Sequence, residues 1–264
     1  MTVLEATGIT KTFAGLRALS DARVRVEERQ IVSIIGPNGA GKTTFFNCLS
    51  GFLQPDSGRV ELAGQDMEGW SPARRARSGL GRTFQQGGLC ASETVLANLL
   101  VAQDRSVSKW SPSSLLAAGS RGRQEEASRR DLAMQVLDIL RMVDDADTVV
   151  SSLSYGHRKV LELGSALLAK PHIILLDEPA AGLGPDETDW LAGVIVDVRD
   201  HLGVSILLIE HHVPMVAKVS DHVFVLNFGE ILAEGPPAAI TRDPAVLTAY
   251  LGRSGTAESA GVTQ

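Results

Sequence analysis

The chain has 264 residues, a length that suits one large domain or two small ones. Its 25 Lys and Arg residues against 31 Asp and Glu give a formal net charge of −6, which disfavours general nucleic-acid binding through a basic surface. With 44% hydrophobic residues a disordered chain is not expected, and no apolar run reaches the roughly 18 residues of a membrane-spanning helix. Met1–Glu5 lacks the pattern of a secretory signal, so we expect a cytoplasmic protein.

The first predicted strands are short and lie near the start of the chain. They are joined by short connections, which is typical of antiparallel pairing. We therefore expect a small antiparallel patch beside the main sheet, formed by Val3–Ala6, Ala22–Val26 and Arg59–Leu62.

Three further apolar runs are rich in β-branched residues and do not alternate with polar ones. This pattern predicts strands that are covered on both faces, as in a parallel sheet. Longer helical segments lie between them, for example Thr188–Asp200 with Pro185 at its start. Strands that alternate with helices predict an α/β core. The three predicted strands are Ile31–Ile35, His172–Leu176 and Val204–Ile209.

A glycine-rich segment follows the first of these strands and reads G-x-x-x-x-G-K-T over residues 36–43. Glycines let backbone N–H groups curl around an anion, and the N-terminus of the helix Thr44–Ser50 points further N–H groups at it. Lys42 adds positive charge, and the Thr43 hydroxyl suits Mg²⁺. A chance glycine loop is disfavoured by this strand and helix context. The expected nucleotide-binding residues are Gly36, Pro37, Asn38, Gly39, Ala40, Gly41, Lys42, Thr43 and Thr44.

The middle of the chain, from about Thr94 to Lys170, is predicted to be mostly helical. Apolar residues recur there at helical spacing, and the stretch Ser106–Arg123 is predicted to be an exposed or mobile insertion. We therefore expect one domain over residues 1–252. Its predicted parts are a core of residues 1–93 and 171–252, a helical subdomain of about 94–170, and a flexible tail of 253–264. The apolar residues at helical spacing are Leu132, Val136, Leu137, Leu140 and Val143.

Two acidic residues end the second parallel strand. Beside a phosphate loop, Asp177 is expected to support Mg²⁺ through water, and Glu178 is free to polarise a water that attacks the γ-phosphate. The alternative is a plain strand-ending turn before Pro179. The phosphate loop favours the catalytic interpretation.

Three further polar residues are ambiguous when each is taken alone. Ser154 precedes the helix Lys159–Ala169 and is a good N-cap, although its hydroxyl could also meet an anion. Gln85 lies in a polar stretch, and His211 follows an apolar strand. Each of the last two has an ordinary structural explanation.

The order of these motifs resembles the ATP-binding subunit of an ABC transporter, from about Val3 to Gly252. That family combines a P-loop NTPase core, a small antiparallel β subdomain and an inserted α-helical subdomain. Within it the chain looks most like the ATPases of branched-chain amino-acid importers. The finer resemblance lies in Lys11–Leu16, Phe46–Phe52, Arg82–Gln85, Leu153–Gly156, Asp177–Leu183 and Asp243–Gly252.

The resemblance implies an ATPase that binds ATP and Mg²⁺ and assigns roles by position. Phe13 would stack on adenine, unless it is a core phenylalanine. Gln85 would ligate Mg²⁺ with Thr43 and Asp177 and would sense the γ-phosphate. His211 would hold the γ-phosphate and position Glu178.

Other implied roles concern a second subunit. Ser154 and Gly156 would contact the γ-phosphate of ATP held by the opposite subunit, and Gly182 and Leu183 would lie at the dimer interface. The implied partners are a second ATPase subunit, identical or different, two membrane permease subunits and, indirectly, an extracytoplasmic solute-binding protein. The chain would then lie on the inner face of the membrane, with no nucleic-acid partner.

Three alternatives to this function stay open. An importer of urea, short amides or another small polar solute would use a similar ATPase. A non-transport ABC ATPase of DNA repair or translation is a second, disfavoured by a single P-loop and no heptad run. The third is a P-loop kinase or GTPase, which would not need both Gln85 and His211 in these relative positions.

The signature segment departs from the common L-S-G-G-Q pattern of the family. Tyr155 takes the third place and is usual in the branched-chain subgroup, whereas His157 replaces the glutamine. Gly184 stands where the subgroup often has asparagine. We expect the changes at His157 and Gly184 to alter contacts at the interface without removing a catalytic group.

Overall fold

The computed structural model describes residues 1–83, 88–106 and 120–251. Within these ranges the strands form two sheets, and the helices pack around them. The strands are β1 (Thr2–Phe13), β2 (Leu16–Glu27), β3 (Ile31–Ile35), β4 (Ser57–Leu62), β5 (Gln65–Asp66), β6 (Leu80–Arg82), β7 (Ile173–Asp177), β8 (Ser205–Ile209), β9 (His222–Asn227) and β10 (Glu230–Gly235). The helices are α1 (Lys42–Ser50), α2 (Pro72–Arg77), α3 (Val95–Ser106), α4 (Ser120–Ile139), α5 (Tyr155–Leu167), α6 (Pro185–Leu202), α7 (Val213–Val219), α8 (Pro237–Ile240) and α9 (Pro244–Leu251).

The smaller sheet has four strands in the order β2-β1-β4-β5, all antiparallel. It confirms the predicted antiparallel patch, although β1 and β2 are far longer than the runs predicted from sequence. Their outer ends carry exposed residues, so the apolar pattern marks only the buried parts of the two strands.

The larger sheet has six strands in the order β10-β9-β3-β8-β7-β6. All pairs are parallel except β9 with β10, which form a hairpin. The three predicted parallel strands are confirmed and lie side by side as β3, β8 and β7. Alternate residues of β8 face opposite sides, and both sides are buried, which explains the missing polar alternation.

Each face of the large sheet has its own core. One core joins it to α3, α4, α5 and α6, and the other joins it to the small sheet with α1 between them. Phe45 and Phe46 of α1 are completely buried in the second core. This packing fixes α1 behind the end of β3, where the glycine-rich segment lies.

Several predicted boundaries are wrong by a few residues. The helix predicted over Thr44–Ser50 begins at Lys42, and the one predicted over Lys159–Ala169 is α5 and begins four residues earlier. Val143 does not continue α4 but lies in a separate 3-10 turn and is 39% exposed. Helix α4 ends because Arg141 takes a left-handed conformation with φ of 57°.

Part of the chain organisation stays a prediction. Residues 120–123 of the predicted insertion belong to α4, while residues 107–119 and the tail 253–264 lie outside the described residues. The division of the core at residues 93 and 170 is not tested. No helix in the described ranges is long and apolar enough to cross a membrane.

Candidate active site

The glycine-rich segment runs from the end of β3 into α1 and folds back on its own lysine. The buried Lys42 ammonium donates to the carbonyl oxygens of Gly36 (2.7 Å) and Pro37 (3.1 Å). Burial lowers the pKa of Lys42, while the nearby carboxylates of Glu178 and Asp177 oppose that change. The predicted loop therefore encloses a cation that faces both acidic residues.

Two glycines of this loop are required by close packing. A Cβ at Gly36 would lie 2.0 Å from the Leu226 carbonyl oxygen of β9, and one at Gly41 would lie 2.6 Å from that of Ala18. Gly41 also has φ of 103°, in the region that favours glycine. Only glycine lets the loop lie this close to the neighbouring backbone.

The turn between β9 and β10 supports the same loop, and sequence analysis missed it. The Gly229 N–H donates to the Ala40 carbonyl (2.8 Å), and the Gly229 carbonyl accepts from the Ser20 N–H (2.9 Å). The loop is thus held against both sheets. No sequence signal connects positions so far apart in the chain.

Asp177 lies at the carboxyl end of β7, as predicted. Burial raises the pKa of this carboxyl, and the Arg82 guanidinium 3.4 Å away opposes the rise. Arg82 also donates to Asn47 Oδ1 (2.8 Å) and Ser50 Oγ (2.6 Å) of α1. One arginine therefore fastens the helix behind the phosphate loop to the strand that carries the acid.

Glu178 is held in an unusual backbone conformation. Its φ is 47°, which is uncommon for a residue with a side chain and often marks a functional site. Its N–H donates to the Ile209 carbonyl (2.9 Å), and the Lys159 ammonium of α5 donates to the carbonyls of Glu178 (3.3 Å), Pro179 (3.0 Å) and Ala181 (2.8 Å). The strand-ending turn is present, and these hydrogen bonds fix the backbone that carries the Glu178 side chain.

Glu210 is a second residue that sequence analysis missed. Its carboxylate is completely buried and accepts the backbone N–H groups of Ala180 (2.7 Å), His211 (3.0 Å) and His212 (3.2 Å). It thereby joins the segment after Glu178 to the segment of His211. An acid directly after the apolar run Ile206–Ile209 was the available signal.

His211 and Phe13 both have exposed side chains. The His211 side chain is 55% exposed at the end of β8, the strand next to β7, with Nδ1 3.9 Å from Glu210 Oε2. Phe13 is 45% exposed at the end of β1, so it is not a core residue. Both side chains are therefore accessible from solvent.

The signature segment caps α5 as predicted. The Ser154 oxygen accepts the His157 N–H (3.2 Å), and the Ser154 hydroxyl donates to Glu187 Oε1 of α6 (3.0 Å). The His157 ring stacks on Trp190 with centroids 4.5 Å apart, and its Nε2 lies 3.7 Å from Asp145. The histidine that replaces glutamine thus anchors the start of α5 to its neighbours.

Tyr155 and Gly184, the other two departures, have structural explanations. A Cβ at Gly182 would lie 3.3 Å from the Tyr155 ring, so the ring packs on the loop after Glu178. Gly184 is the N-cap of α6, and its N–H donates to Glu187 Oε2 (3.4 Å). Because glycine has no side chain, it cannot itself accept the first N–H groups of α6 as an asparagine could.

A cleft of about 490 Å³ lies between α5 and the end of β7. Asp177, Glu178, Tyr155 and Lys159 line it. The structure therefore brings Asp177 and Glu178 together with the phosphate loop on one side and with α5 on the other. Gln85, the predicted γ-phosphate sensor, lies outside the described residues.

Comparison with known proteins gives a family and its members. The sequence profile described as "ABC transporter" matches residues 19–181, and one described as "Branched-chain amino acid ATP-binding cassette transporter" matches residues 230–256. The high-affinity branched-chain amino acid transport ATP-binding protein BraF of Pseudomonas aeruginosa is 41% identical, over 96% of this chain and 98% of that protein. LivG of Escherichia coli, described in the same words, is 40% identical over the same shares.

A solved structure of similar sequence agrees with these matches. It is the ADP conformation of an ATP-binding cassette of an ABC transporter, with a TM-score of 0.81 and 31% sequence identity. The match covers 96% of this chain and 99% of that one. The likeness therefore extends to both sheets and to the helices packed on them.

Proposed function

The chain belongs to the ABC transporter family of ATP-binding proteins, and from that membership we propose that it hydrolyses ATP to energise uptake of branched-chain amino acids. The observation that carries the catalytic part is the meeting of Lys42, Asp177 and Glu178 at the carboxyl ends of β3 and β7. The assignment of the transported solute rests on the two relatives and on the match of residues 230–256. No observation specifically favours an importer of urea or of amides.

The phosphate loop is proposed to bind the β- and γ-phosphates of ATP. Its backbone N–H groups and the N-terminus of α1 would face the phosphate oxygens, and Lys42 would turn from its own loop carbonyls to them. Phe13 would stack on adenine through its exposed face. The exchange costs little because the lysine leaves neutral acceptors for charged ones.

Glu178 is the proposed general base. A water between Glu178 and the γ-phosphate would lose its proton to the carboxylate as it attacks phosphorus, and His211 would hold the γ-phosphate from the adjacent strand end. The hydrogen bonds of Lys159 and Glu210 to the surrounding backbone keep both side chains in place. Such preorganisation lowers the barrier without moving the groups during reaction.

Mg²⁺ fits the donor set of this site. The Thr43 hydroxyl is exposed at the start of α1, and the Asp177 carboxylate lies within electrostatic reach of Lys42, so hard oxygen donors are available. In the described parts of the chain, no group of three or more His, Cys, Asp or Glu residues is placed to hold a metal ion by itself. When bound, the metal would neutralise phosphate charge; Gln85 is its proposed third protein ligand.

The working unit is proposed to be two ATPase subunits with ATP between them. Ser154 and Gly156 would contact the γ-phosphate held by the opposite subunit, with Gly182 and Leu183 at the interface. ATP would favour the closed pair and ADP would not, which is a population shift through differential affinity. Two permease subunits would receive the motion, and a solute-binding protein would deliver the cargo from outside.

The test of the catalytic assignment is Glu178→Gln. We expect the variant to bind ATP as the native chain does and to lose at least about 10² in phosphate release, because the general base is gone. Glu162→Gln, which changes another carboxylate lining the same cleft, is the matched control and should keep native turnover. Turnover of Glu178→Gln near the native rate would refute the assignment.

The cargo is tested separately in vesicles that hold the assembled transporter. Leucine, isoleucine and valine should each stimulate phosphate release and be taken up in an ATP-dependent manner, whereas urea and acetamide should not. Stimulation by urea or acetamide alone would favour the alternative importer without changing the assignment of Glu178.

A further inference from the structure

A carboxylate of the chain itself lies at the N-terminus of α5. Glu187 Oε1 accepts the Ser154 hydroxyl at 3.0 Å, and the same oxygen lies against Gly156. A Cβ at Gly156 would lie only 2.8 Å from the same oxygen. The glycine therefore leaves the space that the carboxylate enters.

These contacts are chemically those of a bound anion. The first N–H groups of a helix lack partners inside the helix and carry partial positive charge, so they attract negative groups. Here the carboxylate accepts the Ser154 hydroxyl at that end and lies against Gly156. The pKa of Glu187 is lowered, first by the hydrogen bond from Ser154 and then by the Gly184 and Gly156 backbone, so the group is an anion at neutral pH.

We propose that Glu187 is a positioning residue that occupies in cis the anion site of α5 and must leave it before the partner's ATP can enter. This inference rests on the proposed function, which gives Ser154 and Gly156 to the γ-phosphate of the opposite subunit. The Ser154 hydroxyl has one proton to donate, so the carboxylate and a phosphate oxygen cannot share it. The Glu187 carboxylate and a phosphate at the same helix end would also repel each other.

The contacts of Glu187 show how it can leave at low cost. Its second oxygen accepts the Gly184 N–H at 3.4 Å, so the side chain also caps its own helix α6. Glu187 is partly exposed, and turning toward water would keep a hydrogen-bonded anion. The native glutamate thus holds Ser154 in place before closure and raises the ATP concentration that closure needs.

The test is Glu187→Gln in the assembled transporter, with phosphate release measured against ATP concentration. Gln still accepts hydrogen bonds but has no charge. We expect the half-saturating ATP concentration for turnover to fall by about threefold or more. The Kd of the isolated chain for ATP should not change, because the phosphate loop lies on another element. A merely structural cap would leave the half-saturating concentration unchanged, whatever happens to the Tm.

Asp186→Asn is the matched control, since it removes a charge from the same helical turn but from an exposed side chain with no hydrogen bond or ion pair found in the described parts of the chain. It should leave the half-saturating concentration at the native value. An unchanged or raised value for Glu187→Gln, or an equal fall in the control, overturns the inference. Failure of the isolated native chain to bind ATP would overturn the proposed function itself, so the two failures are distinguishable.

Discussion

Helices α1 and α5 both begin at a segment proposed to meet phosphate, yet their N-termini are built differently. The N-cap of α1 is Gly41, which has φ of 103° and no capping side chain, and the cation Lys42 follows directly. The N-cap of α5 is Ser154, whose side chain caps the helix and also donates to the carboxylate of Glu187. The first terminus is made of backbone and positive charge, and the second carries an anion of its own.

This difference indicates that a phosphate binds more easily at the N-terminus of α1 than at that of α5. At α1 a phosphate would replace neutral carbonyl partners of Lys42, so ATP gains charge-assisted hydrogen bonds without removing an anion. At α5 a phosphate must first displace a carboxylate. One chain would therefore bind ATP readily through α1. Binding of the partner's ATP at α5 would additionally require the Glu187 carboxylate to be displaced.

Gly41→Ala tests the N-terminus of α1 and should have the largest effect on phosphate release. Its Cβ would lie 2.6 Å from the Ala18 carbonyl oxygen, so the loop must shift. We expect phosphate release to fall by about 10² or more, as small displacements at reacting groups do. The left-handed backbone alone would cost about 1–2 kcal/mol in the free energy of unfolding.

Gly64→Ala is a control that introduces the same kind of backbone strain outside the phosphate loop. Gly64 also has positive φ, 75°, but no other group lies within 4 Å of the place that an added Cβ would take. The substitution should lower the free energy of unfolding by a similar amount and leave ATP affinity and turnover unchanged. Equal loss of turnover in the two variants would show that backbone strain, and not displacement of the phosphate loop, causes the loss.

Lys159→Ala tests the contacts of α5 with the segment after Glu178 and should have an intermediate effect on kcat. This lysine ties the second turn of α5 to three carbonyls around Glu178, and its removal frees the backbone that presents the base. We expect kcat to fall about tenfold with little change in the KM for ATP, in line with hydrogen bonds to a charged group. Arg158→Ala, which removes the neighbouring exposed cation, should keep kcat; a similar fall there would point to charge rather than to these contacts.

The smallest expected effect is a change in thermal stability as the pH is lowered. The pKa of Glu187 is lowered below its ordinary value of 4.5, chiefly by Ser154, so the folded chain favours the ionised form. Its contribution to stability is therefore present above pH 4.5 and is lost as the pH falls through the lowered folded-state pKa. The difference in Tm between the native chain and Glu187→Gln should shrink over that window; a constant difference would contradict the ionised contact.

Local signals predicted most of the groups at the site. Ser154 was predicted as an N-cap because capping depends on neighbouring residues, and Asp177 was predicted because a strand ends there. Glu210, Lys159 and Glu187 were missed. Ser154 and Glu187 lie 33 positions apart, and Ala180 and Glu210 lie 30 apart, so no periodicity connects them.

The phosphate loop, the buried strands and the cap of α5 are encoded locally, since each depends on local backbone freedom or on the spacing of apolar residues. Which carboxylate meets which donor is set instead by the tertiary fold. Packing of α6 beside α5 brings Glu187 to Ser154, and the adjacency of β7 and β8 brings Glu210 to Ala180. Such pairs depend on how whole elements pack, which no short stretch of sequence encodes.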